Sequence, residues 1–182
     1  MNRNLLLLIF ITVTINACKT PEPRKPVQHN SGSFISKSVE KNKVIFENEK
    51  EQILKILTEN KIKYYSSDQG FWYYYKVKDT INTIRPVFGD QVTFTYDVKD
   101  LFGKTILSNN EIGLQNYIID QNNQDLVSGI RDGIKLMKKG ETITFLFPSY
   151  FAYGYYGIID KLGTNVPVQC TITLKTIKQK NN

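Results

Sequence analysis

Between Gly89 and Ile177 the chain alternates apolar and polar residues in short runs, and one helical period interrupts them. Gln91-Val92-Thr93-Phe94-Thr95-Tyr96-Asp97-Val98 alternates as a strand does, and so does Glu141 to Phe147, with Ile143, Phe145 and Phe147 on one side. Thr105 to Leu107, Tyr117 to Ile119 and Val168 to Ile177 read as further strands. Leu126 to Met137 has helical spacing instead, with Ile130, Ile134 and Met137 on one side and Lys138-Lys139-Gly140 as its stop. Phe71 to Val77 is also strand-like: alternation sets Trp72 and Tyr74 on one face and Phe71, Tyr73 and Tyr75 on the other. Five or six strands and one short central helix predict an α+β fold, an antiparallel sheet wrapped over that helix.

Two stretches stand out within this frame. Asp125-Leu126-Val127-Ser128-Gly129-Ile130-Arg131-Asp132-Gly133 and Phe147-Pro148-Ser149-Tyr150-Phe151-Ala152-Tyr153-Gly154 set aromatic and branched side chains beside glycine and turn residues. Neither carries a nucleophile, a phosphate loop or a metal-ligand pattern. They suggest a shaped, dry pocket.

The chain before residue 70 reads as a means of delivery. Met1 to Ala17 has a basic start at Arg3 and an apolar run from Leu5 to Ile15, too short to span a bilayer, and it leads to Cys18. That order predicts an export signal over 1–17, cleaved before Cys18, and it resembles a lipoprotein signal. The resemblance implies acylation of Cys18, and several acyl chains hold a protein firmly at a membrane. Residues 18–43, with Pro21, Pro23 and Pro26, read as a flexible tether. Glu47 to Asn60 reads as an amphipathic helix within a 44–69 linker region, with Ile53, Leu54 and Leu57 on the face of Phe46.

Composition excludes several chemistries. His29, in the tether, is the only histidine, so no histidine-dependent catalysis and no zinc site is expected, and no cofactor is implied. If Cys18 is acylated, as the lipoprotein resemblance implies, Cys170 has no disulfide partner. Loss of 1–17 removes only Arg3, so 23 basic residues face 17 acidic ones, a formal +6. That charge is spread along the chain and reads as a solvated surface, with no nucleic acid partner.

The ordered fragments from about Gly70 to Ile177 resemble the FKBP-type peptidyl-prolyl cis-trans isomerases. The resemblance is carried by Gly89-Asp90-x-Val92-x-Phe94-x-Tyr96, Leu126-Val127-x-Gly129-Ile130-x-x-Gly133, Met137-x-x-Gly140-Glu141, and Pro148 with Ala152-Tyr153-Gly154. It implies an isomerase domain over 70–182, to which the helix read over Glu47 to Asn60 is an N-terminal extension. It also implies a proline site built from Tyr96, Ile106, Leu107, Tyr117, Leu126, Val127, Ile130, Tyr153 and Cys170. By the same resemblance the N–H of Val127 holds a substrate carbonyl, the Tyr153 hydroxyl bonds the ligand, and Tyr155 to Val166 forms a flap. Ile106 stands where the family usually has phenylalanine, Leu107 where it has aspartate, Ile130 where it has tryptophan, and Cys170 where it has phenylalanine.

The expected partners are X-Pro segments of exported or envelope proteins, with the membrane reached through the lipid. The expected location is the bacterial envelope, on the outer membrane facing the periplasm. The arrangement also resembles the gliding-motility-associated FKBP-type lipoproteins. A binding module of the same fold, retaining the pocket without turnover, is the second reading.

Overall fold

The computed structural model describes residues 32–121 and 126–180. Contacts divide the chain into a unit of residues 1–37 and a unit of residues 38–182. Of the first, only the opening turns of a helix lie within the described residues. The signal segment and Cys18 lie outside them.

Helix α1 runs Gly32–Glu59. It starts well before the expected Glu47, so residues 32–43 are helical where a tether was expected. The reason lies in composition: after Pro26 and Gly32 nothing breaks a helix before Asn60, and Lys and Glu dominate the stretch. No helix among the described residues is long and apolar enough to cross a membrane.

The remaining elements are β1 (Tyr65–Ser66), β2 (Trp72–Val77), β3 (Gln91–Asp100), β4 (Thr105–Leu107), α2 (Asn109–Ile112), β5 (Gln115–Ile118), α3 (Ser128–Lys135), β6 (Thr142–Phe147), a 3-10 turn (Ser149–Phe151) and β7 (Val168–Lys178). All strands join one antiparallel sheet in the order β1-β2-β6-β7-β3-β4, with β5 also on β3. The expected α+β architecture is the one observed. The outer edge of β3 is shared: Gln91 to Phe94 pair with β5, and Val98 and Lys99 pair with β4. Tyr96 falls in the interval between the two partners.

The inner face of the sheet and α3 enclose the core. Val92, Phe94, Ile143, Phe145, Phe147, Val168, Ile172 and Leu174 from the strands meet Ile130, Ile134 and Met137, all but closed to solvent. Phe71, Tyr73 and Tyr75 join this side, as alternation predicts. Helix α3 lies low on the sheet because two of its residues have no side chain. A Cβ on Gly129 would stand 2.8 Å from the Phe147 ring and 2.9 Å from the Phe151 carbonyl oxygen. One on Gly133 would stand 3.0 Å from the Phe145 ring. The motif glycines are therefore close-approach positions.

The motif carboxylates are internal ties. Asp90 accepts the backbone N–H groups of Val87 and Lys180, each at 3.0 Å, and joins the start of β3 to the chain beyond β7. Glu141 accepts those of Lys138 at 2.8 Å and Asp79 at 3.1 Å. Both acids are buried, and backbone donors satisfy them without a cation.

The other sheet face is more polar. Thr142 and Thr144 of β6 bond Thr173 and Thr171 of β7, hydroxyl to hydroxyl, at 3.0 and 3.1 Å. Leu146, on this face by alternation, is as buried as the inner residues, and so is Ile53 of α1, yet neither belongs to the inner cluster. Farther along, Phe46 of α1 stacks obliquely on Tyr150 with ring centres 5.6 Å apart.

Candidate functional site

Tyr96 emerges where neither β4 nor β5 covers the edge of β3. Its ring stacks on Phe94 with centres 6.0 Å apart, which anchors the base of the side chain in the core. Burial pushes the phenol above its ordinary value of 10.0, and the nearby Cys170 thiol adds to the shift. Cys170 is paired in register with Val98 on β3 and Phe145 on β6, so it sits under the site in the middle of the sheet. It is 1% exposed, and burial first, then the neighbouring Asp97, raise its thiol well above the usual range.

Tyr153 arrives from the loop after β6. Burial again raises its phenol far above the ordinary tyrosine value, and Tyr96 and Cys170 are the charges that would oppose its ionisation further. Tyr153, like Tyr96, packs against the core cluster that contains Cys170. Its hydroxyl stays protonated across the working pH range and is a neutral donor, not a base.

The loop that carries Tyr153 is tightly folded. The carbonyl of Ser149 accepts the N–H groups of Ala152 at 2.9 Å and Gly154 at 2.8 Å, one on each side of Tyr153. Gly154 then accepts from Asn165 at 2.7 Å, which closes the loop at its far end. Inside it, Ile158 and Leu162 form an isolated bridge, and Asp160 and Asn165 adopt left-handed backbone, which short polar side chains tolerate. Lys161 pairs with Glu111 of α2, spanning from the loop to the β4–β5 connection. Tyr155, Tyr156 and Ile159 point outward, at 76%, 89% and 87% exposure.

Leu126 and Val127 lie at the N-terminal end of α3, half-buried against the core. The Val127 carbonyl accepts from Ile130 at 3.1 Å and Arg131 at 3.3 Å, so the residue is fixed as the helix cap. Ser128 donates its hydroxyl to the Phe151 carbonyl at 3.4 Å, which ties this end of α3 to the turn before Tyr153. Ile130, one turn on, is 1% exposed. Ile106, on β4, is 9% exposed, and Leu107 beside it is half-buried against the same core. Tyr96, Ile106, Leu107, Leu126, Val127, Ile130, Tyr153 and Cys170 therefore all belong to, or pack on, one apolar cluster.

Tyr117 sits deeper. It is paired with Val92 and is buried in the core, and its hydroxyl is enclosed without a hydrogen-bond partner. Gln115, two residues nearer to Tyr96 in register and on the same face of β5, is half-buried and donates to the Ile112 carbonyl at 2.9 Å. The structure therefore adds Gln115 to the residues that could border the site. Alternation around Tyr117 was the available signal, since the two residues share a face. A cavity of about 390 Å³ lies against the same loop but is lined by Ile45, Phe46, Glu49, Ser149, Tyr150 and Tyr155, among others, and includes none of the residues expected to bind proline. The loop thus has two occupied sides, one toward Tyr96 and one toward α1.

Comparisons agree with this architecture. Residues 82–175 match the family model described as FKBP-type peptidyl-prolyl cis-trans isomerase. Among solved structures, a peptidyl-prolyl cis-trans isomerase from Pseudomonas syringae pv. tomato is similar with a TM-score of 0.59 at 20% identity, over 75% of this chain and 96% of that one. FkpA from Escherichia coli is similar with a TM-score of 0.58 at 18% identity, over 98% of this chain and 83% of that one. No curated protein matched the sequence. The family match spans just over half of the 182 residues and contains β3 to β6, most of β7, the buried glycine-bearing helix and the tyrosine loop, so the chain belongs to the FKBP-type peptidyl-prolyl cis-trans isomerases.

Proposed function

We propose that this isomerase is a lipid-anchored envelope protein that acts on X-Pro bonds of exported or envelope proteins. The observation that carries the site assignment is the packing of Tyr153, Tyr96 and Cys170 on one apolar cluster, where burial keeps both phenols and the thiol neutral. An X-Pro bond rotates over a barrier of about 18–20 kcal/mol because the planar amide must twist out of conjugation. A twisted amide has a less polar carbonyl than a planar one. A dry surround therefore raises the planar ground state more than the transition state, and only such a difference accelerates the step.

In this reading Ile106, Leu107, Ile130 and Cys170 supply the dry walls. The N–H of Val127 and the hydroxyl of Tyr153 orient the substrate's flanking carbonyls. No proton changes owner, so a set of neutral groups suffices. The exchanges of aromatic and acidic residues for Ile106, Leu107, Ile130 and Cys170 make the enclosure smaller in aromatic area and less polar. Macrolide-like ligands are expected to bind weakly, while small X-Pro peptides still fit.

The anchor rests on the sequence, where the apolar run from Leu5 to Ile15 leads to Cys18 and a proline-rich segment follows. The outer membrane, periplasmic side, is the location proposed. The similarity of this arrangement to the gliding-motility-associated lipoproteins supports clients in that machinery. Metabolic labelling with a fatty acid that carries a click handle tests the anchor: label on the native chain and none on Cys18→Ser is expected, and equal label on both would remove the proposal.

Turnover is tested with X-Pro tetrapeptides and the full chain. Cis-to-trans conversion well above the uncatalysed rate, which takes roughly 10–100 s, is expected. A folded protein that binds such peptides without accelerating them would instead be a binding module on an isomerase fold.

A further inference from the structure

Glu49 lies in the body of α1 and is 3% exposed. Both of its carboxylate oxygens are engaged by a single residue, Ser149, which is 4% exposed. The Ser149 backbone N–H donates to Oε2 at 2.7 Å, and the Ser149 hydroxyl donates to Oε1 at 2.6 Å. Hydrogen bonds of this length to a carboxylate are among the strong ones, roughly twice a neutral pair, and here they are closed off from water.

Ser149 is also the residue whose carbonyl holds the N–H groups of Ala152 and Gly154, the two neighbours of Tyr153. It follows Pro148, which has no N–H and ends the β6 ladder. The sheet can no longer position the chain at this point. We infer that Glu49 does so in its place, as a positioning residue for Tyr153 that acts from α1 through Ser149. Glu49 touches no substrate. Its carboxylate locates the Ser149 carbonyl, the carbonyl locates the backbone on both sides of Tyr153, and the phenol is delivered beside Tyr96. Helix α1 is then a working part of the isomerase site, although it lies outside the residues that match the family model.

The inference rests on the isomerase reading with Tyr153 at the site, and its test separates the two. Tetrapeptide isomerisation by the full chain is measured for Glu49→Ala, Glu49→Gln and Ser149→Ala, each alone and with Tyr153→Phe. A positioning role predicts a fall in kcat for Glu49→Ala no larger than that for Tyr153→Phe, about twofold to tenfold, with KM changed less than about twofold. Glu49→Gln, whose amide oxygen still accepts the Ser149 N–H, keeps most of the activity. In the Tyr153→Phe background Glu49→Ala adds no further loss, because the group it positions is gone. Equal losses in both backgrounds, or none in a folded Glu49→Ala, would overturn the inference. Should Glu49→Ala not fold, Ser149→Ala removes only the hydroxyl donor, and the same cycle is read from it.

A second readout does not need turnover. The ring resonances of Tyr153, in protein labelled at tyrosine, shift in Glu49→Ala relative to the unsubstituted chain. Unchanged Tyr153 resonances would overturn the positioning role even if the enzyme were inactive. Absence of turnover in the unsubstituted chain would count against the isomerase reading alone.

Discussion

Gly129 presents its bare Cα to the ring of Phe147, so close that a methyl group there would stand 2.8 Å from two ring carbons. Alanine at 129 gains helix propensity, worth about 0.5–1 kcal/mol, but must push aside an aromatic ring in a closed core and the Phe151 carbonyl behind it. The second effect wins, since overpacking a core costs about 1–3 kcal/mol. Thermal melts of Gly129→Ala should show a clear loss of stability. Gly133→Ala, where the gap to Phe145 is wider, should lose less. Equal or higher stability of Gly129→Ala would show that α3 can lift from the sheet freely.

Tyr153→Phe keeps the ring and removes the donor. If its hydroxyl holds a substrate carbonyl, the loss is one neutral hydrogen bond, about 0.5–1.5 kcal/mol, or about a twofold to tenfold fall in kcat/KM. The fold should be unaffected, because among the described residues none accepts a hydrogen bond from that hydroxyl. Steady-state assays with a tetrapeptide series check the size of the fall. No fall on any peptide would take Tyr153 out of the site.

The raised phenols of Tyr96 and Tyr153 carry a pH signature. Below pH 10 both are protonated in the folded and unfolded chain, and their contribution to stability is fully present. Above 10.0 the unfolded chain ionises them while the folded one does not, so the unfolded state binds fewer protons and stability falls as pH rises toward the folded values. Two outcomes are expected: kcat/KM without a tyrosine-like step from roughly pH 6 to 9, and a late phenolate absorbance change coupled to unfolding. A phenolate signal of Tyr153 titrating freely near 10 in the folded protein would contradict the buried geometry.

Cys170 should be chemically silent while the protein is folded. Its thiol is buried beneath Tyr96 and raised well above the usual range, and thiolate is the reactive form. A Cys18→Ser chain, with Cys170 as its only thiol, should react with a disulfide reagent only after denaturant is added. Rapid labelling of the native form would show that the site opens down to its floor.

The strands, α3 and the tyrosine loop are legible because each has a local signature: period-two alternation from Gln91 and from Glu141, glycines in a helical run, and a Pro-Ser-Tyr-Phe turn. The first half of α1 is not, since Ile35 and Val39 are 62% exposed and make no clean apolar stripe. Helix α2 has a short signal of its own, Ser108 followed three residues later by Glu111, and the Ser108 hydroxyl does accept the Glu111 N–H at 3.2 Å. The tie between Glu49 and Ser149 has no local signature at all. It joins residues 100 apart in a chain whose intervening pattern carries no trace of it.

The central ladder joins β3 to β7, from Gln91 opposite Lys178 to Asp100 opposite Val168. β7 has β3 on one side and β6 on the other, so without it the sheet falls into two unconnected pieces. Of the described strands, β7 is the last to leave a ribosome. Until then the protein exists as hairpins with unpaired edges, and closing the sheet requires contacts between distant parts of the chain, the slow kind. An isomerase of this topology therefore cannot begin the final step of its own folding until β7 is free, and until then it is itself a client for whatever guards unfolded chains.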